Sequence, residues 1–143
     1  MSTGGNPTVN RCLRDKEMDL IDHALGRPMW PMRETYRNHF ATDAESSRAI
    51  DFTFSLHWEK TAQSGDMAFF SVSMAGRKAL AEHLKTLEEP WRAFEVSFDG
   101  FTTVVPAKSR SKAIYSYFLD VSDTWTDLTF GEFIRHARAR ALA

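Results

Sequence analysis

Residues 66–84 read DMAFFSVSMAGRKALAEHL, and this stretch decides the fold. Met67 to Ser73 is a short apolar run of strand type, and from Met74 the pattern becomes helical, with Leu80, Leu84 and Leu87 forming one stripe. Ser73 sits where a helix leaves amides without partners, and its hydroxyl can accept from the first turn. Gly76 costs a helix about 1 kcal/mol relative to alanine. It is useful there if another element passes close to the backbone.

Working towards the N-terminus, EKTAQSGD (residues 59–66) reads as a polar turn. DFTFSLHW (51–58) is ambiguous: Phe52, Phe54, Leu56 and Trp58 alternate with polar residues as in a half-buried strand. Ile50, Phe54 and Trp58 also fall at helical spacing after DAESSRA, so helix and strand both stay open. RPMWPMRETYRNHF (27–40) holds two prolines and reads as irregular, anchored by Trp30, Tyr36 and Phe40. Asn38 and His39, beside Tyr36 and Arg37, are expected to tie it to the core through hydrogen bonds. Asp15 to Leu25 has helical periodicity, acids in the first turn, and Gly26 then Pro28 to stop it. Residues 1–14 offer almost nothing to bury and read as a flexible leader with Cys12 exposed.

Strand, Ser73, Gly76, Arg77 and Leu80 together resemble the wing and closing helix of winged-helix domains, over roughly residues 15–89. YRNHFAT (36–42) with the VSMAGRKAL junction resembles a group of short phage- and prophage-encoded proteins. AKSRSKA with YFLDVSD resembles the second half of some small phage proteins. These families carry no activity that transfers to this chain. The first phage resemblance favours the helical reading of residues 46–57.

Glu88, Glu89 and Pro90 mark a module boundary, and residues 90–143 read as a hairpin plus two helices. Asp99-Gly100 is a two-residue hairpin turn, which pairs Phe98 with Phe101, Val96 with Thr103 and Phe94 with Val105. A helix with Ile114, Tyr117, Phe118, Val121 and Trp125 on one side covers the apolar face. A second, opening on Thr129 and Glu132, buries Phe130, Phe133, Ile134 and Ala137 and continues to the last residues. The expectation is α+β: a winged-helix-like module followed by a small ββαα module.

Little in the sequence speaks for chemistry. Five scattered histidines and the single Cys12 give no metal-ligand spacing, and no phosphate loop or nucleophile motif appears. Asp120, Asp123 and Asp127 read as a solvated helix end rather than a carboxylate site. No catalytic residue, cofactor or metal is expected. With 18 basic and 19 acidic side chains the net charge is −1, so nothing draws the chain as a whole to nucleic acid or an anionic membrane. No secretory signal or spanning apolar run appears, and the expected location is cytoplasmic.

Charge is uneven, however. Residues 107–143 carry six basic and four acidic side chains. Lys108, Arg110 and Lys112 open a helix, where positive charge is mildly unfavourable; Arg135, Arg138 and Arg140 lie at the other end of the chain. Lys108, Arg110, Lys112, Arg135 and Arg138 are the candidate partner-binding residues, beside an open hairpin face of Glu95, Ser97, Thr102 and Val104. The favoured expectation is a small non-enzymatic protein-binding module, in its most specific form a phage factor that inhibits a host protein such as an antiviral-defence component. The alternative is a winged-helix transcriptional regulator touching DNA through Arg48, Lys60, Arg77 and Lys78, although Asp51, Glu59 and the aromatics around them suit phosphate poorly.

Overall fold

The computed structural model describes residues 5–125 and 127–142. Among them the chain is α+β, with five helices and two antiparallel three-stranded sheets. Contacts divide the described residues into 8–87 and a second unit of 5–7 with 88–142, each with its own buried apolar residues.

In the first unit Asp15 caps helix α1 (Lys16–Ala24) by accepting from Met18 N. Met18, Ile21, Ala24 and Leu25 enter the core, and Gly26 leaves the helix at φ +84° with Tyr36 and Arg37 packed against its α-carbon. Strand β1 (Phe40–Asp43) leads to helix α2 (Ser47–Phe54), capped by Ser46. Strands β2 (Trp58–Ser64) and β3 (Met67–Val72) follow, and β3 runs into helix α3 (Met74–Lys85). The sheet order is β1-β3-β2. Phe52 and Trp58 stack with centroids 3.9 Å apart, and Phe40 and Phe70 meet Phe52 edge-on.

The Ser73 junction forms as its residues dictate. Gly76 N donates to Ser73 Oγ at 3.1 Å, while Ser73 N and Oγ donate to the carbonyls of His57 (2.9 Å) and Leu56 (2.7 Å). A side chain at Gly76 would place its Cβ 2.6 Å from Val72 Cγ1 and closer still to the His57 carbonyl oxygen. The glycine is there because that carbonyl lies on the helix start.

Several expectations need correction. Residues 8–13 are not a leader: Val9 is fully buried with its N–H donating to Arg27 O, Thr8 bridges Pro28, and Arg11 is buried against Asp22. Cys12 is exposed. Most of the polar 59–66 segment is strand: β2 is an edge whose only buried residue is Trp58, with a register shift between Lys60 and Ala62. Polar residues and irregularity are how edge strands avoid further pairing, so the composition of a turn and of such an edge look alike. Tyr36 does not anchor its segment, being 75% exposed. Residues 47–54 are helical, yet the buried face is Ala49 and Phe52 rather than Ile50 and Phe54.

In the second unit strands β4 (Arg92–Phe98) and β5 (Phe101–Ala107) form the hairpin, in the register Phe94↔Val105, Val96↔Thr103, Phe98↔Phe101. Asp99 (φ +51°) and Gly100 (φ +81°) make the turn. Helix α4 (Arg110–Ser122), capped by Ser109, packs across the strands, and the short α5 (Phe130–His136) inserts Phe133, fully buried, against Phe98, Tyr117 and Phe118. The final helix stops at His136. Residues Arg138–Ala141 form strand β6, antiparallel to β4, so the order is β5-β4-β6 and the module is ββααβ. Arginine and alanine are good helix formers. Here that local preference loses to the open edge of β4, whose backbone groups need partners.

Candidate interaction surfaces

The side chains expected to touch nucleic acid do not share one role. Arg77 points back from the first turn of α3, donating to the carbonyls of Pro31 (2.9 Å) and Arg33 (3.0 Å) and to Thr35 Oγ1 (3.2 Å). Burial draws its pKa below the usual arginine value. These three guanidinium bonds hold the irregular 31–35 segment in place and occupy donors that a phosphate contact would use. Lys60 Nζ bonds Gln63 Oε1 at 2.6 Å on the β2 edge. Arg48 lies over the Phe40 ring at 5.7 Å, and Lys78 is exposed on α3.

Asn38 does what its position suggests. It accepts from Val72 N (2.6 Å) and donates to Val72 O (3.0 Å), tying the irregular segment to the end of β3.

A network that sequence reasoning missed lies under α1. Asp22 is fully buried, accepting from Arg11 Nε at 2.9 Å and from Arg27 at 3.1 Å; Arg27 also donates to Asp19 at 2.7 Å. The Arg27 guanidinium holds the Asp19 carboxyl below the usual carboxylate range. The signal was present: Asp22 stands four residues after Met18 and next to Ile21, on the apolar side of the helix. A buried carboxylate there demands arginines nearby.

The largest departure from ordinary surface chemistry lies at the end of α2. Ile50 is 53% exposed, Phe54 84% and Leu56 86%. Ile50 and Phe54 are one turn apart on one face, opposite the Ala49–Phe52 face in the core. Leu56 follows the helix, its carbonyl bonded to Ser73, and Met74 (64% exposed) begins α3 one residue later. Beside α2 a cleft of about 470 Å³ has Phe52 and Trp58 among its lining residues, with Ser46, Ser47 and Asp51 on its walls. His57 Nδ1 lies 2.9 Å from Glu17 Oε1. Among the described residues no buried polar side-chain atom lacks a partner, and no His/Cys/Asp/Glu group could hold a metal. No described helix is long and apolar enough to cross a membrane.

In the second unit the predicted basic residues are spread over different surfaces. Lys108 lies over the Trp91 ring (5.6 Å) and 3.9 Å from Glu89. Arg110 and Lys112 are exposed in the first turn of α4. Arg135 lines a cleft of about 600 Å³ with Phe98, Trp125 and Leu128. Arg138 and Arg140 are on β6, in register with Ser97 and Glu95, so they lie on the sheet face away from α4. Arg138 bonds the carbonyl of Ala137 at 3.0 Å, and Arg140 bonds Glu95 at 2.8 Å. The hairpin face of Glu95, Ser97, Thr102 and Val104 is thereby extended by a third strand.

No protein-family model, curated protein or solved structure matches this chain.

Proposed function

We propose that the chain is a small non-enzymatic protein-binding module, and that its docking surface is the apolar ridge of Ile50, Phe54, Leu56 and Met74. The observation that carries this reading is the 84% and 86% exposure of Phe54 and Leu56 on a unit that fills its core without them. Each such side chain gives about 1.5–3 kcal/mol when it leaves water, so a partner with an apolar groove gains from covering them. Aromatic and aliphatic anchors of this kind dominate interface energetics. In its most specific form the reading is of a phage-encoded factor that acts in the cytoplasm by occupying a host protein; the resemblance of YRNHFAT and VSMAGRKAL bears on the phage origin alone.

The test is site-specific photo-crosslinking in host lysate from position 47, exposed on the same face of α2 as Ile50 and Phe54, with and without the Phe54→Asp/Leu56→Asp substitutions. A discrete crosslinked protein that the double variant no longer captures supports the reading. A fold that melts unchanged together with undiminished capture refutes it.

The DNA-binding alternative draws on one feature, the β2–β3 hairpin that runs into the Ser73-capped α3. Against it stand the commitment of Arg77 to the 31–35 segment and the single helix between β1 and β2. An electrophoretic shift assay with random duplex at low salt separates the two: retardation favours the regulator, free duplex the interaction module.

A further inference from the structure

Helix α4 carries charge against its own dipole. Lys112 stands in its first turn and Asp123 at its C-cap, where the helix favours the opposite signs. Among the described residues neither side chain has an ion-pair partner: the pairs within residues 88–142 are Lys108–Glu89 and Arg140–Glu95. They cannot pair with each other in one copy, since eleven residues of helix separate them by about 16 Å. Between them Ser116 and Leu119 complete a stripe at 4-3-4 spacing. This stripe is opposite to the side that packs Ala113, Ile114 and Val121 inward. Leu119 is 47% exposed, and with Tyr115 and Phe130 it borders a shallow apolar groove beside Lys112.

We propose that this stripe is the contact between two copies of the chain, paired antiparallel about a two-fold axis passing between positions 117 and 118. The stripe is complementary to itself when reversed. Lys112 then faces Asp123 of the second copy, and Asp123 faces its Lys112. Ser116 faces Leu119, a small residue against a large one, at both central positions. The two Tyr115 rings come to the same flank of the seam, while Asp120 stays on the other flank in water. Antiparallel pairing also places each helix end beside the opposite end of its neighbour, which resolves the dipole mismatch of both copies at once. The seam is one short helix face, less than the roughly 800 Å² per partner of a standard interface. Self-association is therefore weak, in fast exchange and sensitive to salt. This proposal concerns a different unit from the α2 ridge and stands or falls independently of it.

Sedimentation equilibrium on the full chain at low ionic strength tests it. The expected result is an average mass that climbs from monomer towards dimer with concentration and falls back when salt is added. Lys112→Glu and Asp123→Lys each place like charges across the seam, so each variant stays monomeric where the wild type associates. An equimolar mixture of the two variants restores opposite charges at both ends and regains the dimer. Both substitutions agree with the helix dipole, so the melting temperature of each stays equal or rises, which separates loss of association from loss of fold. The proposal is overturned if the wild type remains monomeric throughout. It is equally overturned if either variant associates as the wild type does, or if their mixture stays monomeric.

Discussion

Replacing Gly76 with alanine puts a methyl group onto the His57 carbonyl and 2.6 Å from Val72 Cγ1. On propensity alone the change stabilises α3 by about 1 kcal/mol. Two terms oppose it. Overpacking of a well-filled site costs about 1–3 kcal/mol. The β2 start must also withdraw, which weakens the bonds from Ser73 N and Ser73 Oγ to His57 and Leu56, about 1 kcal/mol each. The balance is a loss of about 2–4 kcal/mol from the 8–87 unit, combining these opposing magnitudes. Urea unfolding followed at the amides of α3 measures it without averaging over the second unit. Ser73→Ala is the companion, removing the cap and the Leu56 bond while leaving space, at about 1–2 kcal/mol. Should Gly76→Ala leave the midpoint unchanged or raise it, the close approach would be readily relieved, and the argument for the glycine would fail.

Other outcomes follow from the same contacts. Asp22→Asn leaves Arg11 buried beside a neutral amide and is expected to lower stability by about 3–5 kcal/mol in denaturant melts. Because Arg27 depresses the folded-state pKa of Asp19, the stabilisation from that pair is present above the ordinary carboxylate pKa and lost as pH falls through the depressed one. Acid titration of stability should accordingly be shallower in Asp19→Asn. Phe133→Ala empties the centre of the second unit and should cost about 3–5 kcal/mol, read by loss of dispersed amide signals from β4 and β5. Ending the chain after Ala137 removes β6 and bares the β4 edge, so light scattering should report aggregation that the full chain lacks.

What the sequence revealed follows a physical line. The Ser73 cap, the Asp99-Gly100 turn and the α4 face were legible because each depends on a few neighbouring residues: a hydroxyl three positions before an amide, a turn that needs positive φ, a stripe at helical spacing. Gly76 was legible as a close approach, though not what approaches, since His57 lies nineteen residues away. The errors all lie where distant partners override local preference. Arg138–Ala141 has helical composition and becomes strand because β4 offers an unpaired edge. Residues 8–13 look unburiable until Asp22 and Arg27 supply partners for Arg11 and Val9. On α2 the sequence leaves helix and strand open, and the structure settles on a helix that buries Ala49 and Phe52 and exposes Ile50 and Phe54, because the sheet partners of the core lie elsewhere in the chain. Of the proposed surfaces, the basic residues were visible as charge, but their distribution over α4, α5 and the far side of the sheet depends on β6.

The β4–β6 pairing also sets an order of events during synthesis. Glu95 meets Arg140, forty-five positions later, so the second sheet stays two-stranded until residues 138–141 have been made. The 8–87 unit contains all of its own strands, and its buried ion pair joins residues only eleven apart. It can fold while later residues are still being translated, a lag of about 3–11 s before the end of β6 is reached at ordinary ribosomal rates. Throughout that interval the β4 edge has no partner, and the apolar hairpin face stays uncovered until α4 and then Phe133 have been made. A ribosome pausing within residues 110–137 therefore presents a folded first unit attached to an adhesive, incomplete second one, the form of the nascent chain that chaperones recognise.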